Sequence, residues 1–158
     1  AGLIGPELQF LDDNRKELEM LRRVTIGGEV VRVGQALGIA FEPLSKDLHP
    51  DQFAAAAGRS AVEALKDKMM SADEGREITK EEVDRLGAPP RPSLLQDVMK
   101  SRRTEVDQLN GYISNTGKEL GIPTPMNDAV VDIFARFNTG ELKPSPSNLE
   151  ILKDQIPG

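Results

Sequence analysis

The chain contains no cysteine, no tryptophan and only one tyrosine and one histidine. Without cysteine it can form neither disulfides nor thiolate metal sites, a composition that fits the reducing cytoplasm. No segment approaches the roughly 20 consecutive apolar residues of a membrane-spanning helix, and no basic region followed by an apolar stretch marks the N-terminus. We therefore expect a cytoplasmic protein that does not enter a membrane.

The charge distribution argues against nucleic acid as a partner. The formal net charge is -6 at pH 7, and lysine and arginine form no block. A protein that follows a phosphate backbone needs a basic surface, and one that stacks on bases needs several aromatic side chains. Tyr112 is the only tyrosine. The sequence therefore predicts no nucleic-acid surface.

The sequence also offers few residues for a metal site or a hydrolytic triad. His49 is the only histidine, which excludes a multi-histidine metal site and makes a Ser-His-Asp triad a poor hypothesis. The acidic stretch 71–82 resembles a calcium-binding loop between two helices. Its glycine and its acidic residues do not fit the required positions in either register. We expect no metal.

What the sequence does contain is helical periodicity. Its 158 residues, 38% of them apolar, can form one domain with a modest core. Asn127 is predicted to cap one of the helices. No alternating window is long enough to indicate a strand, so the predicted class is all-α with at least two long helices. Helices are predicted over residues 13–37, 51–70, 79–86, 94–120 and 127–137, with a last turn at 149–152.

Glycines mark two features of the long helices. Gly27, Gly28 and Gly34 lie inside the first helix, where each costs about 1 kcal/mol relative to alanine. Glycines kept at that cost are typical of a close approach by another backbone, so we expect a second helix to pack there. Residues 37–39 and 120–122 both read Leu-Gly-Ile. Each is predicted to end its helix with the glycine in the left-handed conformation.

The helix predicted over 94–120 carries charges beside its apolar stripe. At about 100° per residue, Arg102 falls near the middle of the stripe and Glu105 along its margin, beside Tyr112. A structural ion pair between Arg102 and Glu105 accounts for both charges, and a carboxylate held at a cleft is the functional alternative. The stripe consists of Leu95, Val98, Val106, Leu109, Ile113, Thr116 and Leu120.

Ser93 also has two interpretations. With Gln96 it forms an S-x-x-Q capping box, which would hold the start of the helix. A helix N-terminus also offers free N–H groups and partial positive charge to a bound carboxylate. Capping and ligand contact can therefore coexist at Ser93.

This helix and the segment after it contain a motif of about 35 residues. Its parts are Ser93-Leu94-Leu95-Gln96-Asp97, Arg102-Arg103-Thr104-Glu105-Val106-Asp107, Leu109-Asn110-Gly111, Leu120-Gly121-Ile122-Pro123-Thr124-Pro125 and Asn127. The motif resembles the C-terminal helical domain of ketopantoate reductase, also called 2-dehydropantoate 2-reductase. Residues 1–39 resemble the first long helix of the same domain, so the resemblance covers most of the chain.

The resemblance implies a two-domain enzyme that reduces ketopantoate with NADPH in pantothenate and coenzyme A biosynthesis. Residues 1–158 would form a single helical C-terminal domain, a bundle of the 6-phosphogluconate dehydrogenase C-terminal type. The N-terminal Rossmann domain, which binds NADPH and precedes the helix with the catalytic lysine, would be absent from this chain. A homodimer is also implied.

The resemblance also implies roles for five residues. Glu105 is expected at the active site and Ser93 in contact with the 2-keto acid substrate. Arg102, Asp97 and Asn110 are expected in supporting positions. The isolated chain is expected to be inactive, because the hydride carrier's site and the proton donor lie outside it.

Two alternatives stay open. The chain could serve a related reductase of another 2-keto acid, because the serine and the glutamate report the reaction framework and not the pocket that selects the substrate. It could also be a stand-alone helical interaction module without catalysis, because a fold does not by itself determine a function.

Overall fold

The computed structural model describes residues 6–73, 85 and 105–158, and its regular structure in these ranges is entirely helical. The predicted all-α class is therefore confirmed. None of the helices within these ranges combines the length and the apolar character that a membrane crossing requires. The helices are α1 (Pro6–Ala36), α2 (Pro50–Ala55), α3 (Arg59–Asp73), α4 (Val106–Leu120), α5 (Pro125–Asn138), a 3₁₀ helix (Pro146–Asn148) and α6 (Leu149–Lys153).

The long helix α1 organises the fold, because it contacts every other α-helix of the described ranges. Burying an aliphatic or aromatic side chain of the core stabilises the fold by roughly 1.5 to 3 kcal/mol, so helices distant in sequence are held together on α1. The buried core consists of Leu21, Val24, Val31, Phe53, Ala56, Val62, Leu65, Val106, Met126, Val130, Ile133, Leu152 and Ile156.

The glycine pair of α1 lies directly against α2. A Cβ atom added at Gly28 would stand 2.6 Å from the Phe53 carbonyl oxygen, and one at Gly27 would stand 2.9 Å from the Phe53 ring. Both distances are shorter than real Cβ contacts, so only glycine allows this approach. The prediction that a second helix packs here is confirmed for this pair. Gly34 instead faces Phe41, in the loop after α1.

The single helix predicted over 51–70 is wrong, because the structure contains two helices there. α2 ends at Ala55 and α3 begins at Arg59. The N–H of Val62 donates to the Gly58 carbonyl at 3.0 Å, which starts the hydrogen bonding of α3. Continuing a helix through Gly58 would be costly, because glycine loses more conformational freedom in a helix than any other residue type.

The two Leu-Gly-Ile sequences end their helices as predicted. Gly38 follows α1 with φ 78°, and Gly121 follows α4 with φ 69°, so both are left-handed. In each case the N–H of the isoleucine donates to a carbonyl five residues earlier, at 2.9 Å after α1 and 2.8 Å after α4. This is the Schellman type of helix end. The predicted last turn is also present, as α6.

Part of the apolar stripe predicted for the fourth helix is wrong. Leu109 is 64% exposed and Leu120 is 42% exposed, although both were expected to be buried. The buried side of α4 holds Val106, Ser114 and Thr116. Small and polar residues lie on this side because α4 packs closely on α5. The spacing of apolar residues on a helical wheel does not detect a buried face of this kind. Of the helix predicted over 79–86 only residue 85 is described, and it is helical. The 94–104 part of the helix predicted over 94–120 lies outside the described residues.

Candidate active site and its buried support

Glu105 lies at the N-terminal end of α4, where its side chain is exposed. Its backbone carbonyl begins the helix by accepting the N–H groups of Gln108 at 3.0 Å and Leu109 at 2.9 Å. The Glu105 side chain makes no capping hydrogen bond. Leu109 and Tyr112 lie on the same outward face and are 64% and 59% exposed. Glu105 therefore presents an exposed carboxylate on the same face as two exposed side chains of largely apolar character.

The other predicted site residues divide into two groups. Ser93, Asp97 and Arg102 lie outside the described residues, so their predicted roles and the Arg102–Glu105 ion pair stay predictions. Asn110 lies on the inner side of α4, and its Nδ2 donates to the Oδ1 of Asn127 at 2.9 Å. The structure thus connects Asn110 to α5.

Asn127 is fully buried at the start of α5, but it does not cap that helix. α5 begins at Pro125 with Thr124 as the N-cap residue, and Thr124 makes no capping side-chain bond. The prediction that Asn127 caps the helix is therefore wrong. The physical reason is that a residue from another helix accepts the free N–H groups of this first turn.

That residue is Glu29 of α1, which is 1% exposed. One carboxylate oxygen accepts the N–H of Met126 at 2.8 Å. The other accepts the N–H of Asn127 at 2.9 Å and its side-chain Nδ2 at 2.5 Å. Both oxygens are therefore engaged by N–H donors at a helix N-terminus, where partial positive charge favours a carboxylate. A chain of hydrogen bonds runs from Glu29 through Asn127 to Asn110.

Burial raises the pKa of the Glu29 carboxyl above its ordinary value, because removing the charged form from water is costly. The N–H donors of Met126 and Asn127 and the charge of Arg32 act in the opposite direction. A protonated Glu29 carboxyl would need an acceptor for its O–H, and these N–H groups can only donate, so their arrangement suits the charged carboxylate. Glu29 is thus held by specific contacts in a place that disfavours charge.

Sequence reasoning did not identify Glu29, although one signal was present. Glu29 follows Leu21 and Thr25 at spacings of four, and both of those residues are buried on α1. An acid in register with a buried stripe needs a partner, because an unpaired buried charge is strongly destabilising. The signal predicts that a partner exists. It does not predict that the partner lies 97 residues further along the chain.

A second polar cluster joins α4 to the start of α5. The Asp128 carboxylate accepts hydrogen bonds from the hydroxyls of Ser114 and Thr124, the latter at 3.2 Å. The Nζ of Lys118 lies 4.0 Å from the same carboxylate. α4 and α5 are therefore connected by polar contacts at two levels, one through Asn110 and one through Ser114.

The geometry defines which chemistry α4 can support. An exposed carboxylate at a helix start can accept a hydrogen bond from a hydroxyl or an ammonium group, and it can orient a proton donor. Within the described ranges, no three acidic or histidine side chains cluster in a way that would hold a metal ion. The exposed face of α4 with Glu105 is the candidate site, and the Glu29–Asn127–Asn110 chain is its buried support.

The chain is similar to a known protein family. Residues 14–138 match the family described as "Ketopantoate reductase PanE/ApbA C terminal". The matched range includes most of α1, all of α4 and α5, and therefore both Glu29 and Glu105. No solved structure matches the chain.

Two curated proteins are similar to parts of the chain. A 2-dehydropantoate 2-reductase of Aquifex aeolicus (strain VF5) is 40% identical over 73 residues, which cover 46% of this chain and 23% of that protein. A 2-dehydropantoate 2-reductase of Archaeoglobus fulgidus is 31% identical over 81 residues, which cover 44% of this chain and 28% of that protein. The matches thus span about a quarter of the length of each relative.

Proposed function

The chain belongs to the ketopantoate reductase C-terminal family, and we propose that it is the substrate-closing domain of an NADPH-dependent 2-dehydropantoate 2-reductase. Such an enzyme converts ketopantoate to pantoate by adding a hydride to the carbonyl carbon and a proton to the carbonyl oxygen. The observation that carries the proposal is the position of Glu105, an exposed carboxylate at the start of α4 within the matched range.

NADPH would supply the hydride when it is bound. The chain contains no G-x-G-x-x-G sequence and no P-loop, so its own residues do not fit a nucleotide site of either kind. We propose that a Rossmann domain of the same protein binds the nucleotide. No step that we assign to residues 1–158 depends on the cofactor.

The residues of this chain would bind and orient the 2-keto acid. The Glu105 carboxylate would accept a hydrogen bond from a substrate hydroxyl or from the catalytic lysine that the family implies. Ser93 would contact the substrate. Arg102, Asp97 and Asn110 would support Glu105 and Ser93. Ketopantoate is the proposed substrate, and other 2-keto acids are outcomes of the test.

The test is to express the native coding sequence that contains residues 1–158 and to follow NADPH oxidation with ketopantoate. We expect turnover with NADPH, a smaller kcat/KM with NADH and a smaller kcat/KM with other 2-keto acids. Preference for a different 2-keto acid would replace the proposed substrate. Absence of NADPH-dependent reduction of every 2-keto acid tested would overturn the proposed function.

Glu105→Gln in that protein tests the assigned residue. Glutamine is nearly isosteric with glutamate and has a similar helix propensity, so only the charge and the acceptor pattern change. We expect kcat to fall by about 10²-fold or more, with little change in melting temperature. Near-normal turnover with a lowered melting temperature would show instead that Glu105 is the structural partner of Arg102. Glu119→Gln, an exposed glutamate at the other end of α4, is the matched control.

A further inference from the structure

Glu29, Asn127 and Asn110 form one buried line of hydrogen bonds that starts on α1 and ends on the helix of Glu105. Glu29 engages Asn127 through both its backbone N–H and its side-chain amide, at 2.9 and 2.5 Å. Asn127 then uses its remaining side-chain atom, Oδ1, to accept from Asn110 at 2.9 Å. Both polar ends of the Asn127 side chain are therefore occupied, and the side chain cannot turn over without breaking two bonds.

The end of this line lies close to the proposed site residue. Asn110 is five residues after Glu105, which is about 7.5 Å along a helix axis and more than one turn. The same five residues place Asn110 on the inner side of α4 and Glu105 on the outer side. A bond that fixes the rotation of α4 at Asn110 therefore also fixes the direction in which Glu105 points.

The start of α4 has few other restraints in the described residues. Glu105 makes no side-chain capping bond, and the first turn depends on its carbonyl, which accepts from Gln108 and Leu109. Val106 is buried in the core, but Gln108 and Leu109 are exposed. The Asn110 amide is thus the directed polar contact nearest to this turn on the inner side of the helix.

We propose that Glu29, Asn127 and Asn110 are positioning residues for Glu105, and that α1 sets the orientation of the carboxylate through this line. The inference rests on the proposed function for its kinetic consequence. None of the three residues touches the substrate in this proposal. They act through the rotation and the rigidity of the first turn of α4.

The first experiment needs no activity and uses the 158-residue chain. Amide hydrogen exchange is measured at Gln108 and Leu109 in the wild type, Asn110→Ala and Asn115→Ala. Asn115 is exposed on the same helix and serves as the matched control. We expect exchange at the two amides to become at least several-fold faster in Asn110→Ala and to stay unchanged in Asn115→Ala. Unchanged exchange in Asn110→Ala would overturn the inference.

The second experiment is a kinetic double-mutant cycle in the longer enzyme. Asn110→Ala is combined with Glu105→Gln, and kcat and KM are measured for the four proteins. If Asn110 acts through Glu105, Asn110→Ala alone should lower kcat about tenfold, and it should have little further effect once Glu105 is glutamine. Losses that multiply independently in the double variant would overturn the inference.

Asn110→Asp provides a third arm, because aspartate keeps the shape of asparagine and lacks the N–H donor. We expect it to lower kcat at least as much as alanine does. Wild-type kcat in Asn110→Asp would overturn the inference. Failure of the proposed function is visible separately, because an inactive wild-type enzyme is recognised before any variant is made.

Discussion

Two glutamates of this chain have opposite environments, and the difference determines what each can do. Glu29 is 1% exposed and accepts three N–H donors, so its carboxylate is committed to holding α5. Glu105 is exposed and its side chain makes no capping bond. Both oxygens of Glu29 are already occupied by donors of this chain, while the Glu105 side chain is accessible to a ligand. The geometry thus separates a structural acid from a candidate functional acid.

Glu29→Gln should destabilise the chain. Glutamine keeps one acceptor oxygen, but its amide nitrogen then faces N–H donors of Met126 or Asn127 and leaves them unsatisfied. We expect the free energy of unfolding to fall by about 1 to 3 kcal/mol, measured by urea denaturation. Glu19→Gln is the matched control on the same helix, where Glu19 pairs with Arg23 at the surface. That change should cost about 0.5 kcal/mol or less.

Equal losses in the two variants would contradict this account of Glu29. They would mean that the desolvation of the Glu29 carboxylate cancels its hydrogen bonds, as replacement of a buried charge sometimes does.

The sequence predicts single residues well only where the determining contact is local. Gly121 was predicted as a helix end from its neighbours alone, and the structure confirms it with φ 69°. The burial of Leu109 was predicted from a helical wheel and is wrong, because a helical wheel contains no information on which side of α4 packs against α5. The role of Glu29 could not be predicted from its neighbours, because its hydrogen-bond partner lies 97 residues further along the chain. Position within a local pattern was predictable, and the partner across the fold was not.

At the scale of helices, each end is set by its own chemistry and each face by its neighbours. The all-α class and the ends of the two long helices at Gly38 and Gly121 follow from periodicity and glycine. The start of α1 was predicted at residue 13 and lies instead at Pro6. The break between α2 and α3 does not follow from periodicity, because the apolar pattern continues through it. α2 ends at Ala55, two residues after Phe53, whose ring and carbonyl contact the glycine pair of α1, and this long-range contact is not visible in the sequence.

Gly121→Ala should destabilise the end of α4. A Cβ at this position would meet no atom within 4 Å, so the cost comes from the left-handed backbone alone. We expect a loss of about 1 to 2 kcal/mol in the free energy of unfolding. Gly58→Ala is the matched control, because Gly58 also has open space and is not left-handed. It should leave stability within about 1 kcal/mol of the wild type or raise it slightly. A neutral Gly121→Ala would show that α4 ends without needing glycine.

Lys66 ties α3 to α1 and gives this pair of helices a defined pH dependence. Its side chain is 10% exposed, and its Nζ lies 2.8 Å from Glu17 and 2.9 Å from Asp67. The hydrogen bonds to Glu17 and then to Asp67 raise the pKa of Lys66. The stabilisation is therefore fully present below the unfolded pKa of about 10.4, and it is lost as the pH rises through the higher folded pKa.

Lys66→Met should remove this pH-dependent contribution. Because Glu17 and Asp67 are 49% and 71% exposed, solvent screens the pairs, and we expect a loss of about 0.5 to 1 kcal/mol at neutral pH. The difference from the wild type should shrink above pH of about 10.4 in urea denaturation series. Lys68→Met, an exposed position on the same helix, is the control. A difference that stays constant through this pH range would contradict the assignment.

At the scale of the whole molecule, α1 connects the parts that the proposed function requires. Its glycine pair contacts α2, and its Glu17 pairs with Lys66 of α3. Its Glu29 holds α5. The same helix thereby supports the turn that carries Glu105. A single long helix with one buried acid is a simple way for a helical domain to keep an outward-facing site in a fixed orientation.

The last prediction concerns self-association of the 158-residue chain. Leu109 and Tyr112 lie on one face of α4 and are 64% and 59% exposed. Covering such apolar surface is favourable by roughly 25 cal/mol per Å², so a second copy is expected to use this face when nothing else covers it. The glycine-bearing face of α1 does not offer such a surface, because it is covered by α2 and Phe41.

We expect the molar mass from light scattering to rise with protein concentration in the wild type. Leu109→Ser combined with Tyr112→Ser should shift the chain to the monomer, because both changes remove apolar area from the same face. Leu44→Ser is the matched control, because Leu44 is 65% exposed and lies in the loop between α1 and α2, not on α4. It should leave the association unchanged. A monomer mass at every concentration would contradict the prediction, and equal weakening by the Leu44 control would show that association is not specific to the Tyr112 face.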